Sequence, residues 1–121
     1  MSYKNELTNR LLSFAANVIK YSRNLPKSPE FKIIKYQLIK SVTSVGANYR
    51  ESQSASSLAD FRSKVYISLK EISETTYWLE IISSLLEIES GHNDLNSLLI
   101  ESRELEKILG SIIQKTKISK S

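Results

Sequence analysis

The chain of 121 residues contains no cysteine. That excludes a disulfide framework, thiolate metal sites and cysteine catalysis, and it agrees with a cytoplasmic protein. Three glycines and two prolines are too few for a turn-rich β-sandwich of many short strands. No apolar run approaches the roughly 18 residues of a membrane span. The opening Met1-Ser-Tyr-Lys-Asn-Glu6 lacks the apolar core of a secretory signal, so no membrane partner is expected. The single histidine, His92, lies beside Gly91 and reads as a solvated loop residue. Gly46, Gly91 and Gly110 are isolated, so no glycine-rich phosphate loop exists. The many serines have no histidine partner in a triad context.

What is present is a balanced globular composition. Hydrophobic residues make up 40% and charged residues 25%, enough for one core in one domain spanning residues 1–121. The net charge of +4 is unevenly placed. Residues 1–50 carry nine Lys/Arg against Glu6 and Glu30, a net of +7; residues 51–121 carry eight against eleven Asp/Glu, a net of −3. Such a split fits ordinary solvated faces, a basic surface for phosphate, or two surfaces of opposite sign that meet between subunits.

The periodicity is helical almost throughout. Leu7, Leu11, Phe14, Val18, Tyr21 and Leu25 step by fours and threes, one narrow seam of the kind left-handed bundles use. Asn24-Leu-Pro-Lys-Ser-Pro29 breaks it, with Ser28 placed to cap a second helix and Pro29 at its first position. That helix buries Phe31, Ile34, Leu38, Val42, Val45 and Tyr49; Gly46-Ala47 inside it predicts a close helix approach or a bend. Ser52–Ser57 loses the apolar period, and Ser57 with Asp60 reads as a variant capping box. The third helix follows Leu58, Phe61, Val65, Leu69, Ile72, Thr76, Leu79, Ile82 and Leu86. Gly91 is placed to end it and Asn93 to cap a fourth. The predicted helices cover about 4–23, 29–52, 58–89 and 94–115, with a basic tail at 116–121. Short links between long helices imply an all-α, antiparallel up-down-up-down four-helix bundle.

One stripe exceeds what a lone bundle needs: Trp78, Ile81, Leu85 and Ile88. It reads either as a wide core-facing arc or as a subunit interface, and the charge split favours a head-to-tail ring. On the second helix, Lys32, Lys35 and Arg50 fall on one flank of the seam, and Ser41, Ser44, Asn48 and Glu51 on the other. The second flank suits a tight helix contact with hydrogen bonds across it, and these four residues join the Trp78 stripe as assembly candidates. Arg10, Lys20, Arg23, Lys32, Lys35, Lys40 and Arg50 are the candidates for phosphate contact, through the backbone and without base readout. Glu71/Glu74 and Glu101/Glu104 repeat a three-residue spacing that could hold metal between helices. Yet the Glu-x-x-His of di-iron bundles is missing, so no metal and no cofactor is expected.

The run Gln37-Leu-Ile-Lys-Ser-Val-Thr-Ser-Val-Gly-Ala-Asn-Tyr-Arg-Glu51, then Asp60-Phe61 with Lys64, then Ile67-Ser-Leu-Lys-Glu-Ile-Ser-Glu-Thr-Thr-Tyr-Trp-Leu79, resembles a four-helix bundle family. It is especially similar to the branch encoded in intervening sequences of bacterial 23S ribosomal RNA genes. Leu25-Pro26 fits as well, and the likeness runs from about Phe14 to Leu86. Ser52 stands where the family frequently has glycine. The resemblance implies a bundle that assembles as a ring, typically a pentamer. Related proteins serve diversity-generating retroelements, where a basic ring associates with a reverse transcriptase and nucleic acid. It implies no catalytic residues.

The expectation is therefore a non-enzymatic, ring-forming bundle that associates with RNA, DNA or a ribonucleoprotein through a basic surface. Two alternatives stand beside it: a protein-interaction scaffold whose charge serves only assembly, and a metal-dependent all-α hydrolase.

Overall fold

The computed structural model describes residues 3–86 and 93–117. Its elements are α1 (Tyr3–Ser22), α2 (Pro29–Ser52), α3 (Leu58–Leu85) and α4 (Asn93–Lys115). Each helix packs on its neighbours in chain order and α1 closes against α4, which is the predicted up-down-up-down bundle. The α2–α3 contact is the most extensive and α1–α4 the thinnest. No described helix is long and apolar enough to cross a membrane.

The predicted seams meet on the bundle axis. Val18, Leu38, Val65, Ile72, Leu79, Leu105 and Leu109 have no measurable exposure. Burying a Leu or Ile side chain contributes about 1.5–3 kcal/mol, so this axis supplies most of the drive to fold. Tyr3 and Ser22 bound α1 within a residue of prediction, and α2 has the predicted bounds. Pro29 occupies the first turn of α2, and Ser28 precedes it in extended conformation, but the Ser28 hydroxyl caps no helix amide. Ser57 does cap α3: its Oγ accepts the Asp60 N–H at 3.0 Å. The Asp60 carboxylate reaches back to the Ser56 N–H at 3.3 Å, one residue before the cap. A shorter acid than glutamate thus closes the box differently. α3 stops at Leu85, where Leu86 N–H meets the Ile82 carbonyl at 3.0 Å. The predicted continuation to 89, and Gly91 and His92, lie outside the described residues, as does the stretch before Asn93 on which its predicted capping role depends; α4 runs from Asn93.

Small hydroxyl side chains knit the long helices. Ser41 Oγ and Thr75 Oγ1 sit 2.8 Å apart between α2 and α3, and Ser68 donates to the Val45 carbonyl at 2.6 Å. Thr76 Oγ1 meets Ser102 Oγ at 2.7 Å between α3 and α4. All are buried, and buried polar groups need such partners. Small residues let the helices approach, and the approach brings the hydroxyls into bonding range. Gly46 plays a milder part than predicted. A Cβ built there would meet Leu11 Cβ at 3.7 Å, ordinary contact, so glycine is not enforcing a close crossing.

Candidate nucleic-acid interface

The turn between α1 and α2 gathers positive charge. At the end of α1, the Arg23, Asn24 and Leu25 amides bond to the Lys20, Tyr21 and Ser22 carbonyls, tightening the last turn. Leu25 is buried and anchors the corner in the core. Pro26 and Pro29 prevent the helix from continuing. The chain reverses here, and Arg23, Lys27, Lys32 and Lys35 line one hollow of about 370 Å³ floored by Leu25, Pro26 and Phe31. None of the four makes an ion pair among the described residues. The N-terminus of α2 adds the positive end of its dipole. The opposing carboxylate within this stretch of chain is Glu30, exposed in the first turn of α2. Its own backbone N–H holds its carboxyl below the usual range, so it stays an anion at neutral pH. Four cations against one carboxylate leave this corner positive, a field that attracts phosphate.

The seven cations named from sequence do not form one surface. Arg23, Lys32 and Lys35 meet at the corner, and Lys27 joins them although the pattern reading passed over it. A turn residue between two basic helix ends is the signal that would have found it. Lys20 is exposed on the α4 side of α1, beside Asn17, Tyr21 and Asp94. Lys40 is exposed on α2. Arg50 shares a flank with Lys32 but lies eighteen residues further on, about 27 Å along the axis, in the α1–α2 groove. Arg10 lies apart from the corner and is already partnered. Its Nε and Nη2 donate to the two carboxylate oxygens of Glu101 at 2.8 and 2.7 Å, and that hydrogen bond raises its pKa despite partial burial. Its charge is already neutralised within the bundle.

The assembly candidates divide in the same way. Ser41 is buried and faces α3 of its own chain, so it offers no surface to another subunit. The tight hydrogen-bonded contact predicted for that flank exists, but it is intramolecular. Asn48 Nδ2 donates to the Ser44 carbonyl and hydroxyl at 2.9 and 3.0 Å. Glu51 is exposed and pairs with Lys64 at 3.4 Å. Trp78 is half-buried, sits edge-on to Tyr77 at 5.3 Å and donates Nε1–H to Glu74 at 3.2 Å. Ile81 packs partly on the core. Leu85 is half exposed, and Ile88 lies outside the described residues.

A broader apolar surface was missed. α1 and α2 enclose an open groove of about 860 Å³ lined by Leu12, Ala15, Ala16 and Ile19 on one side and Thr43, Gly46 and Ala47 on the other. Leu12 is 60% exposed, and Ile33 and Tyr36 on α2 are each 64% exposed. The signal was in the doublets Leu11-Leu12, Ala15-Ala16 and Val18-Ile19: paired apolar residues at helical spacing mean a wide arc, not a narrow seam.

Two of the four glutamates of the metal reading are engaged elsewhere. Glu101 holds Arg10 and Glu74 accepts from Trp78. Among the described residues no three His, Asp or Glu come together.

Comparison with known proteins places these features in a family. The sequence model of the 23S rRNA-intervening sequence protein matches residues 4–111. A crystal structure at 1.70 Å resolution, of a protein of unknown function from the S23 ribosomal protein family of Bacteroides thetaiotaomicron VPI-5482, is similar with a TM-score of 0.79 and 35% identity. The similarity covers 89% of this chain and 98% of that one. No curated protein matches.

Proposed function

The chain belongs to the 23S rRNA-intervening sequence protein family, and from that premise we propose that it is a non-enzymatic bundle whose copies assemble into a ring and hold nucleic acid by its phosphates. The ring is fivefold by the family resemblance. The observation that carries the binding reading is the α1–α2 corner: Arg23, Lys27, Lys32 and Lys35 around one hollow without an ion pair among the described residues. Repeating such a corner around a ring multiplies weak contacts into avidity. The one aromatic lining the hollow, Phe31, is buried, and the exposed Tyr36 lies one turn from Lys32 outside it; stacking there would be sequence-tolerant, so affinity without sequence preference follows.

The test compares the wild-type protein with Arg23→Gln/Lys27→Gln/Lys32→Gln/Lys35→Gln in binding a mixed-sequence RNA and its DNA counterpart. Lys107→Gln/Lys115→Gln on α4 is the control. The corner variant should lose at least tenfold in affinity while the control binds as the wild type. Equal binding by all three would refute the site. The scaffold reading is favoured by the open α1–α2 groove. It predicts an oligomer with no affinity for either nucleic acid, and the same titration separates the two.

A further inference from the structure

We propose that the α1–α2 groove is filled by the outer ridge of α3 from a second copy, so that two different faces of the chain meet head to tail. This rests on the ring reading and names its interface. The ridge carries Ile67, Glu71, Glu74, Trp78 and Leu85. Their spacings of four, three, four and seven put all five within about 60° of one another at 100° per residue. Ile67 is 38% and Leu85 50% exposed, and between them in the chain Glu71 and Glu74 are half-buried, Glu74 accepting the Trp78 Nε1–H. The ridge is therefore apolar with an acidic middle.

The groove has the opposite character. Leu12, Ala16 and Ala47 give it an apolar wall, and Arg50, Lys64, Glu51 and Asp60 share its lining. Lys40 stands exposed elsewhere on α2, and Asp60 is the one lining carboxylate without an ion pair, set against the unpaired Lys40 and Arg50, among the described residues. Glu51, at the Arg50 end, is already paired with Lys64. An acid-bearing ridge and a base-flanked groove complement each other in sign, whereas two grooves or two ridges brought together would set like charges face to face. The contact is thus heterologous and propagates from copy to copy, closing when the rotation permits. It also reassigns two cations. Lys40 and Arg50 serve assembly, and the corner at Arg23, Lys27, Lys32 and Lys35 stays open for phosphate.

The cysteine-free sequence makes the test clean. Leu12→Cys and Leu85→Cys proteins are prepared separately, mixed, and treated with a short bis-maleimide. Cross-links should join the two proteins when mixed and should be scarce in either alone. In parallel, light scattering follows Lys40→Glu/Arg50→Glu, Glu71→Lys/Glu74→Lys and the four changes combined, with circular dichroism confirming that each is folded. Each charge-reversed pair should fall to the 13.8 kDa of a single chain, and the combination should recover the wild-type mass. If the wild type assembles but Leu12→Cys links only to itself, or neither reversal lowers the mass, the face assignment is wrong and the ring survives. If the wild type scatters as a single chain at micromolar concentration, the ring reading falls with it.

Discussion

Replacing Gly46 by alanine should stabilise the protein. Glycine inside a helix is less favourable than alanine by about 1 kcal/mol, because the unfolded chain has more freedom to lose. The gain is realised only if the added methyl fits. At Gly46 the new Cβ would lie 3.7 Å from Leu11 Cβ and meet no other atom beyond its own helix within 4 Å, which is van der Waals contact without overlap. The expected change is therefore about +1 kcal/mol, or a rise of roughly 3–5 °C in melting temperature for a domain of this size. Urea unfolding at fixed protein concentration measures it. The midpoint should rise with an unchanged slope. Gly110→Ala, where nothing lies within 4 Å, gives the propensity effect alone. A loss of stability at Gly46 alongside a gain at Gly110 would mean that α1 and α2 pack more tightly at this crossing than 3.7 Å allows.

Ser41→Ala and Thr75→Val should be coupled by about 0.5–1.5 kcal/mol in a double-mutant cycle, since their hydroxyls bond at 2.8 Å in the α2–α3 contact; additive effects would deny that bond. Arg10→Gln should cost no more than about 1 kcal/mol, because both partners of its pair with Glu101 are partly exposed. It should leave RNA affinity unchanged, and a weakened complex in an anisotropy titration would return Arg10 to the phosphate surface. Burial raises the Tyr21 and Tyr49 phenols above their ordinary value of 10.0, with Asp94 adding to the effect at Tyr21. A group raised on folding contributes stability that is full below its unfolded pKa and lost as pH climbs through its folded one. Melting temperature should therefore fall above pH 10, in step with phenolate absorbance, and Tyr21→Phe/Tyr49→Phe should flatten the fall; an identical fall in that variant would rule these two phenols out.

How much of this was legible in the residues depends on the kind of signal. Seams such as Leu11-Phe14-Val18 and Val65-Ile72-Leu79 are set by the helical repeat, which any buried helix must obey, so the bundle could be read directly. The Pro26–Pro29 break and the Ser57 cap are local chemistry and were equally plain. What could not be read was which neighbour a side chain would meet. Ser41 lies in a polar row that signals a close helix contact, but periodicity does not say whether the other helix belongs to the same chain. Arg10 counts as a free cation until the fold brings Glu101, ninety-one residues away, to 2.7 Å. Trp78 looked surplus because its angle lies far from the α3 seam; its ring is large enough to lean back on the core from there. The four corner cations share a hollow only because the turn folds α2 back beside the end of α1, and no spacing rule carries Arg23 to Lys35.

The central claim is that this corner holds phosphates, and the dependence of binding on salt tests it most directly. A protein that neutralises phosphates releases the counterions they held, so affinity falls linearly on logarithmic axes with a slope of about −0.7 per contact for single strands. Four corner cations engaging one RNA strand predict a slope near −3 per chain, approaching zero in the four-glutamine variant. Tight binding by the wild type with a flat salt response, or the same steep slope in the variant, would contradict the account.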